Sequence, residues 1–115
     1  MVLNECLIIK ENKVLVLKNG NKYELPSVDH SEDENVESFL EKYMIENFGI
    51  NIEVVQIFNA YQIIKSEKNV NVNVYEANIL NEKNITKINK IEFLSKEDLT
   101  KNEVSETLKL VLDEL

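Results

Sequence analysis

From Tyr23 to Asn51 the sequence reads as the end of a strand, an acidic loop, one helix and a stop, with β-rich sequence on both sides. Val36, Phe39, Leu40, Tyr43 and Met44 recur at three-and-four spacing and so line one helical face, with Glu37, Glu41, Lys42 and Ile45 off that stripe. This pattern predicts a helix from about Glu34 to Phe48. Ser31, followed three residues later by Glu34, fits a capping box, and Glu32, Asp33 and Glu34 fall at the positive end of the helix dipole. Gly49 is where a helix that needs a left-handed last residue would stop. At 100° per residue, Tyr43, Glu46 and Asn47 share one sector of surface near that end. Here carboxylates, a histidine, a proline and a helix terminus come together in sequence, so chemistry is expected here first.

A helix with one apolar face needs a surface to cover, and the flanks supply it. Leu3 to Ile9 is apolar and β-rich, Lys10 to Lys13 is a hairpin turn, and Val14 to Leu17 is a second strand. Asn19-Gly20-Asn21 is the strongest turn signal in the chain and leads into Lys22 to Leu25. After Gly49, Ile50 to Ile64 is a long β segment whose doubled apolar pairs at 54/55, 57/58 and 63/64 predict bulges. A turn over Lys65 to Lys68 returns the chain to Asn69-Val70-Asn71-Val72-Asn73-Val74, a strict alternation. The apolar phase flips at Tyr75, Ala77 and Ile79, which predicts one more bulge near Val74. Asn81 to Lys90 reads as loop and Ile91 to Leu94 as a short strand. Ser95 with Asp98 caps a helical turn through Leu99, and Leu108, Val111, Leu112 and Leu115 give a C-terminal helix its core face. The order βββαββ(β)α predicts an α/β/α sandwich, a mixed β-sheet between helices, in one domain over 1-115. At 115 residues such a domain buries roughly 65% of its unfolded surface.

Charge then narrows the partners. Thirteen basic side chains against 21 acidic ones leave a formal charge of -8, which opposes binding to nucleic acid, where lysine and arginine displace counterions from phosphates. The chain has no arginine, so any anion must be held by lysine, backbone N–H groups or a bound cation. Cys6 is the only cysteine, which excludes an internal disulfide and a multi-cysteine zinc site and reads as a small apolar strand residue. No stretch has the pattern of a secretory leader or the length of a membrane span, so a cytoplasmic protein is expected. The surplus of Asn, Lys and Ile is the composition of an AT-rich genome.

With these elements in place, the sequence resembles the Nudix (MutT-like) hydrolase family over nearly its whole length. Glu11 to Pro26 is similar to that family's strand, turn and strand leading into Pro-Gly-Gly. The signature is Gly, five residues, Glu, seven residues, then Arg-Glu-U-x-Glu-Glu-x-Gly-U with U aliphatic. On it, Glu34, Glu46, Gly49 and Ile50 match in register, Met44 fills the aliphatic place and Lys42 stands for Arg. Ser27 and Val28 replace the two glycines, Tyr43 replaces the glutamate after the arginine, and Asn47 replaces the second glutamate of the pair. The resemblance implies a pyrophosphohydrolase of nucleoside diphosphate-linked compounds, in which helical glutamates bind Mg2+ or Mn2+ and the ion bridges a diphosphate. It therefore implies catalytic and metal roles for Glu46 and Glu34, with Lys42, Tyr43 and Asn47 around a nucleotide-like substrate.

The substitutions weaken that implication chemically. Mg2+ takes hard oxygen ligands, whereas a tyrosine hydroxyl stays protonated at neutral pH and an asparagine offers an uncharged carbonyl. Two readings follow: a weakly active or inactive Nudix-type hydrolase whose ion is held by Glu46 with Glu34, Asp29 or Glu32, and a non-catalytic module that binds a ligand or a protein. Other residues have ordinary explanations. Glu34 is also the partner of Ser31 in the cap, Tyr43 lies on the apolar stripe, and His30 sits in a solvated acidic loop. Lys18 and Lys22 flank a hairpin as solubilising charges. A monomer or a homodimer is expected, with the long segment after Gly49 as an edge for pairing.

Overall fold

The computed structural model describes residues 2–29, 35–81 and 91–115. In chain order its elements are β1 (Val2–Lys10), β2 (Lys13–Asn19), β3 (Lys22–Glu24), β4 (Ser27–Asp29), α1 (Val36–Phe48), β5 (Asn51–Lys65), β6 (Lys68–Asn81), β7 (Ile91–Ser95), α2 (Lys96–Thr100), β8 (Glu103–Val104) and α3 (Glu106–Glu114). The sheet runs β5-β6-β1-β2-β3-β8, with β4 also on β1 and β7 also on β2. It is mixed: β1 is parallel to β6 and β3 to β8, and the other pairs are antiparallel.

Three two-residue loops set the antiparallel registers. Lys10 pairs with Lys13, Asn19 with Lys22 and Lys65 with Lys68. Both central residues have positive φ in two of them, Glu11 and Asn12 at 52° and 65° and Ser66 and Glu67 at 52° and 65°, while Gly20 takes φ 63° in the third. Such turns match the twist of the flanking strands, which is why they are tolerated without glycine. β1 changes partner along its length. Leu3 to Glu5 pair with β4, Ile9 and Lys10 pair with β2, and between them Cys6 N–H donates to Pro26 O at 3.0 Å.

Two cores lie on opposite faces of the sheet. Leu40 and Met44 of α1 pack with Cys6, Ile8, Leu15 and Ile50 on one face. On the other, Leu108, Val111 and Leu112 of α3 and Leu99 of α2 pack with Leu7, Val16, Val72 and Val74. Each fully buried Leu or Ile contributes about 2 kcal/mol by removal from water, so both helices are held mainly by these contacts and not by propensity.

This double coverage corrects two expectations. β6 itself does not bulge at Val74, since it remains in register with β1 from Asn71 to Ala77; the irregularity beside Val74 lies on β5, where Ile57 pairs with Tyr75 and Asn59 with Val74 and Phe58 is extra. Val70, Val72 and Val74 face α3, and Tyr75, Ala77 and Ile79 pack toward α1. The apolar phase flips because the strand passes from one core to the other, not because it bulges. The irregularities fall between Val54 and Gln56 and between Ile57 and Asn59 of β5, as the doubled pairs 54/55 and 57/58 predict, whereas the third pair, 63/64, is regular.

The helix ends are also specific. α1 begins at Val36, with Asn35 Oδ1 accepting from Ser38 N–H at 3.0 Å, so its cap is Asn35 and not Ser31. The expected box of Ser31 and Glu34 lies outside the described residues, as does most of the Asn81 to Lys90 loop. Gly49 closes α1 at φ 65°, its N–H donating to Ile45 O at 2.9 Å. Ser95 and Ser105 cap α2 and α3 through Asp98 N–H and Leu108 N–H. Part of the stretch read as acidic loop is strand, since Ser27–Asp29 pairs with β1. Leu115 follows α3 as its C-cap and is exposed instead of belonging to the core. Among the described residues no helix is long and apolar enough to cross a membrane.

Candidate functional site

The C-terminal half of α1 carries the residues that the family pattern singles out. Its inner face is fixed by Leu40 and Met44, which turns Lys42 and Glu46 outward. Lys42 Nζ lies 3.8 Å from Glu46 Oε1, with the two side chains 72% and 60% exposed. Exposure on that scale lets water screen the pair. Tyr43 turns inward, half-buried against the α1-side core, its ring edge-on to Phe48 at 5.7 Å and 78°. Burial raises the Tyr43 phenol pKa, and the carboxylate of Glu24 pushes it the same way, so it is a neutral hydroxyl at physiological pH. Asn47 Nδ2 donates to Tyr43 O at 3.0 Å, which ties the NH2 end of the amide to the helix's own backbone. Glu41, one turn before Ile45, reaches the sheet, where its Oε2 accepts from Val54 N–H at 3.1 Å beside the β5 irregularity.

Other sequence candidates scatter. Glu34, Glu32 and His30 lie outside the described residues. Asp29 is exposed at the end of β4. Lys18 stands over the Tyr23 ring at 5.7 Å. Cys6 is fully buried, and burial with the nearby Glu5 and Glu41 pushes its thiol up to about 12, which makes it inert packing.

A cavity of about 680 Å3 opens instead on the α3 side of the sheet, a size common for small-molecule sites. Glu5, Glu24, Ser27, Lys22, Lys65 and Thr107 are among the residues that line it, with Leu3, Ile63 and Ile64 as apolar wall. Lys42, Tyr43, Glu46 and Asn47 do not line this cavity. Its floor is Glu5. The residue lies in the middle of β1 between β4 and β6, pairing with Ser27 on one side and Val74 on the other, and is only 6% exposed. Ser27 hydrogen-bonds its carboxyl group, but Oε1 has no hydrogen-bond partner among the described residues. Buried Asn4 next to it differs, since its Oδ1 accepts from Asn73 Nδ2 at 3.4 Å. Burial raises the Glu5 pKa from 4.5 to about 7; Glu24 adds to the rise, while the Ser27 hydrogen bond and Lys65 oppose it. The cavity therefore contains a carboxyl group that changes charge near neutrality, where an ordinary glutamate is fully ionised.

Sequence reasoning passed over Glu5, although the signal was there. A lone glutamate shares the strand parity of Leu3 and Leu7, both apolar, and a charge on that row is costly unless something answers it.

No protein-family model matches the sequence. No curated protein matches it either. Solved structures do. A MutT Nudix hydrolase from Burkholderia pseudomallei is 17% identical and superposes with a TM-score of 0.81 over 99% of this chain and 96% of that one. A Nudix hydrolase from Nitrosomonas europaea is 11% identical, with a TM-score of 0.81 over 98% and 85%. An ADP-ribose pyrophosphatase from Streptococcus suis is 20% identical, with a TM-score of 0.71 over 98% and 90%. The chain thus has the Nudix fold, shared at identities low enough that only the architecture carries over.

Proposed function

We propose that this chain uses the Nudix fold as a small-molecule binding module, with metal-dependent hydrolysis of nucleoside diphosphate-linked compounds weak or absent. One observation carries the reading: Tyr43 is packed beside Phe48, Asn47 is tied by its NH2 group to the backbone of α1, and Glu46 is left on the exposed face beside a lysine ammonium. A resident Mg2+ or Mn2+ fits this set poorly. One screened carboxylate, a neutral phenol and one uncharged amide oxygen are a weak offer to a hard cation that takes several oxygen ligands. Among the described residues, no three His, Cys, Asp or Glu side chains gather where an ion could be held. The cavity at Glu5 is where a ligand would bind, and a nucleotide-like molecule is of suitable size.

The fold itself favours a second reading, a Nudix-type pyrophosphohydrolase in which Glu46 and Glu34 are catalytic and hold the ion. The two separate in a phosphate-release assay with Mg2+ or Mn2+ over nucleotides and nucleoside diphosphate-linked compounds. Slow release, equal in the wild type and Glu46→Gln, is expected. Turnover that Glu46→Gln abolishes would establish the enzyme and refute the binding module.

A further inference from the structure

We propose that the cavity floored by Glu5 takes a ligand with a planar pair of N–H donors, an amidine or the amino-substituted edge of a nitrogen heterocycle, which closes on the Glu5 carboxylate. This rests on the binding reading above and gives its chemistry. The buried Oε1 of Glu5, without a hydrogen-bond partner among the described residues, carries the inference. A buried acceptor without a donor costs roughly 1–3 kcal/mol, and more when it is charged, a penalty that a bound donor would remove. The surroundings select a donor over an acceptor. Burial and Glu24 raise the carboxyl group's pKa to about 7 while the Ser27 hydrogen bond and Lys65 hold it from rising further, so above neutrality the group is an ionised carboxylate, which only accepts. Two parallel N–H bonds to one carboxylate add geometric specificity. Leu3, Ile63 and Ile64 give a flat ring an apolar surface to rest on.

Every charged group that faces Glu5 bears on this. Glu24 of β3 repels the carboxylate and Lys65 of β5 attracts it, while Lys22 of β3 and Glu106 of α3 complete the charged part of the lining. Among the described residues, two lysines against two glutamates, apart from Glu5 itself, leave the lining near balance, so the charge of Glu5 decides the sign of this part of the cavity. A donor ligand and a proton compete for the same oxygen. Binding should therefore tighten with pH until Glu5 is ionised and then level off.

Benzamidine is the probe, with benzoate as its shape-matched acceptor. Carboxyl 13C NMR follows the Glu5 titration while the affinity is measured between pH 6 and pH 8. We expect benzamidine to bind about ten-fold more tightly at pH 8 than at pH 6, to lower the Glu5 midpoint by at least one unit, and to lose at least ten-fold in affinity in Glu5→Gln. Glu37→Gln, on the exposed face of α1 and outside the cavity, should change the affinity less than three-fold. Benzamidine that binds Glu5→Gln as well as the wild type, leaves the Glu5 titration unmoved or does not bind at pH 8 would overturn the proposal. Benzoate binding that strengthens toward pH 6 would overturn the donor chemistry while leaving the binding module intact. Hydrolysis abolished by Glu46→Gln would instead defeat the binding module, so the two failures are distinct.

Discussion

Glu46 and Glu5 are both glutamates on regular secondary structure, and the fold treats them in opposite ways. Glu46 sits on the outer face of α1 with Lys42 3.8 Å away and water around both. Glu5 sits in the middle of a sheet, with one oxygen bonded by Ser27 and the other without a partner among the described residues. The first matches a family signature and is energetically ordinary, because a solvated ion pair on a helix surface contributes about 0.3–0.5 kcal/mol. The second matches no signature and stores a large electrostatic cost. A motif records a spacing, whereas reactivity depends on what surrounds the side chain, and here the two fall at different places.

The contrast is sharpest in the pH dependence of stability. Glu5 has its folded pKa raised, so the folded chain retains a proton there that the unfolded chain has released. The stabilisation relative to the ionised state is complete below about 4.5 and is lost as pH rises to about 7. The total is on the order of 3 kcal/mol. Urea denaturation at pH 4.5 and pH 8 should show wild type losing about 3 kcal/mol more than Glu5→Gln across that interval. Parallel curves would mean that Glu5 is as well solvated as Glu46. Next in size, Tyr43→Ala should cost about 2 kcal/mol in the same experiment, because it empties part of the α1-side core beside Phe48. A cost below about 0.5 kcal/mol would return Tyr43 to the surface. Smallest of all, Glu46→Gln should change stability by less than about 0.5 kcal/mol. A larger loss would show that the residue has partners beyond Lys42.

Most of the fold was legible because it follows from local rules. Val36, Leu40 and Met44 fix the face of α1, Gly49 ends it, and Asn19-Gly20-Asn21 turns β2 into β3. The errors came where tertiary context decides. Nothing local tells which strand of a pair carries the extra residue, so the sequence places on β6 a bulge that the structure has beside Val74 on β5. The pairing of Ser27–Asp29 with β1 depends on residues more than twenty positions away. In the candidate site the pattern carried Lys42, Tyr43, Glu46 and Asn47 to one end of α1, where Lys42 and Glu46 turn outward and Tyr43 turns into the core. Glu5, Ser27 and Lys65 come from three separate strands and meet only after the sheet has formed. No spacing in the sequence announces them.

The last helix is fastened at both ends. Ahead of its first turn, Ser105 N–H donates to Tyr23 O at 2.8 Å. Near its far end, Glu114 accepts from Asn59 at 2.8 Å and from the Tyr61 hydroxyl. The first turn of that helix is also one side of the Glu5 cavity, so a guest would meet a rigid doorway and not a swinging one. Entry should then be governed by diffusion and fit, without a slow rearrangement of the frame.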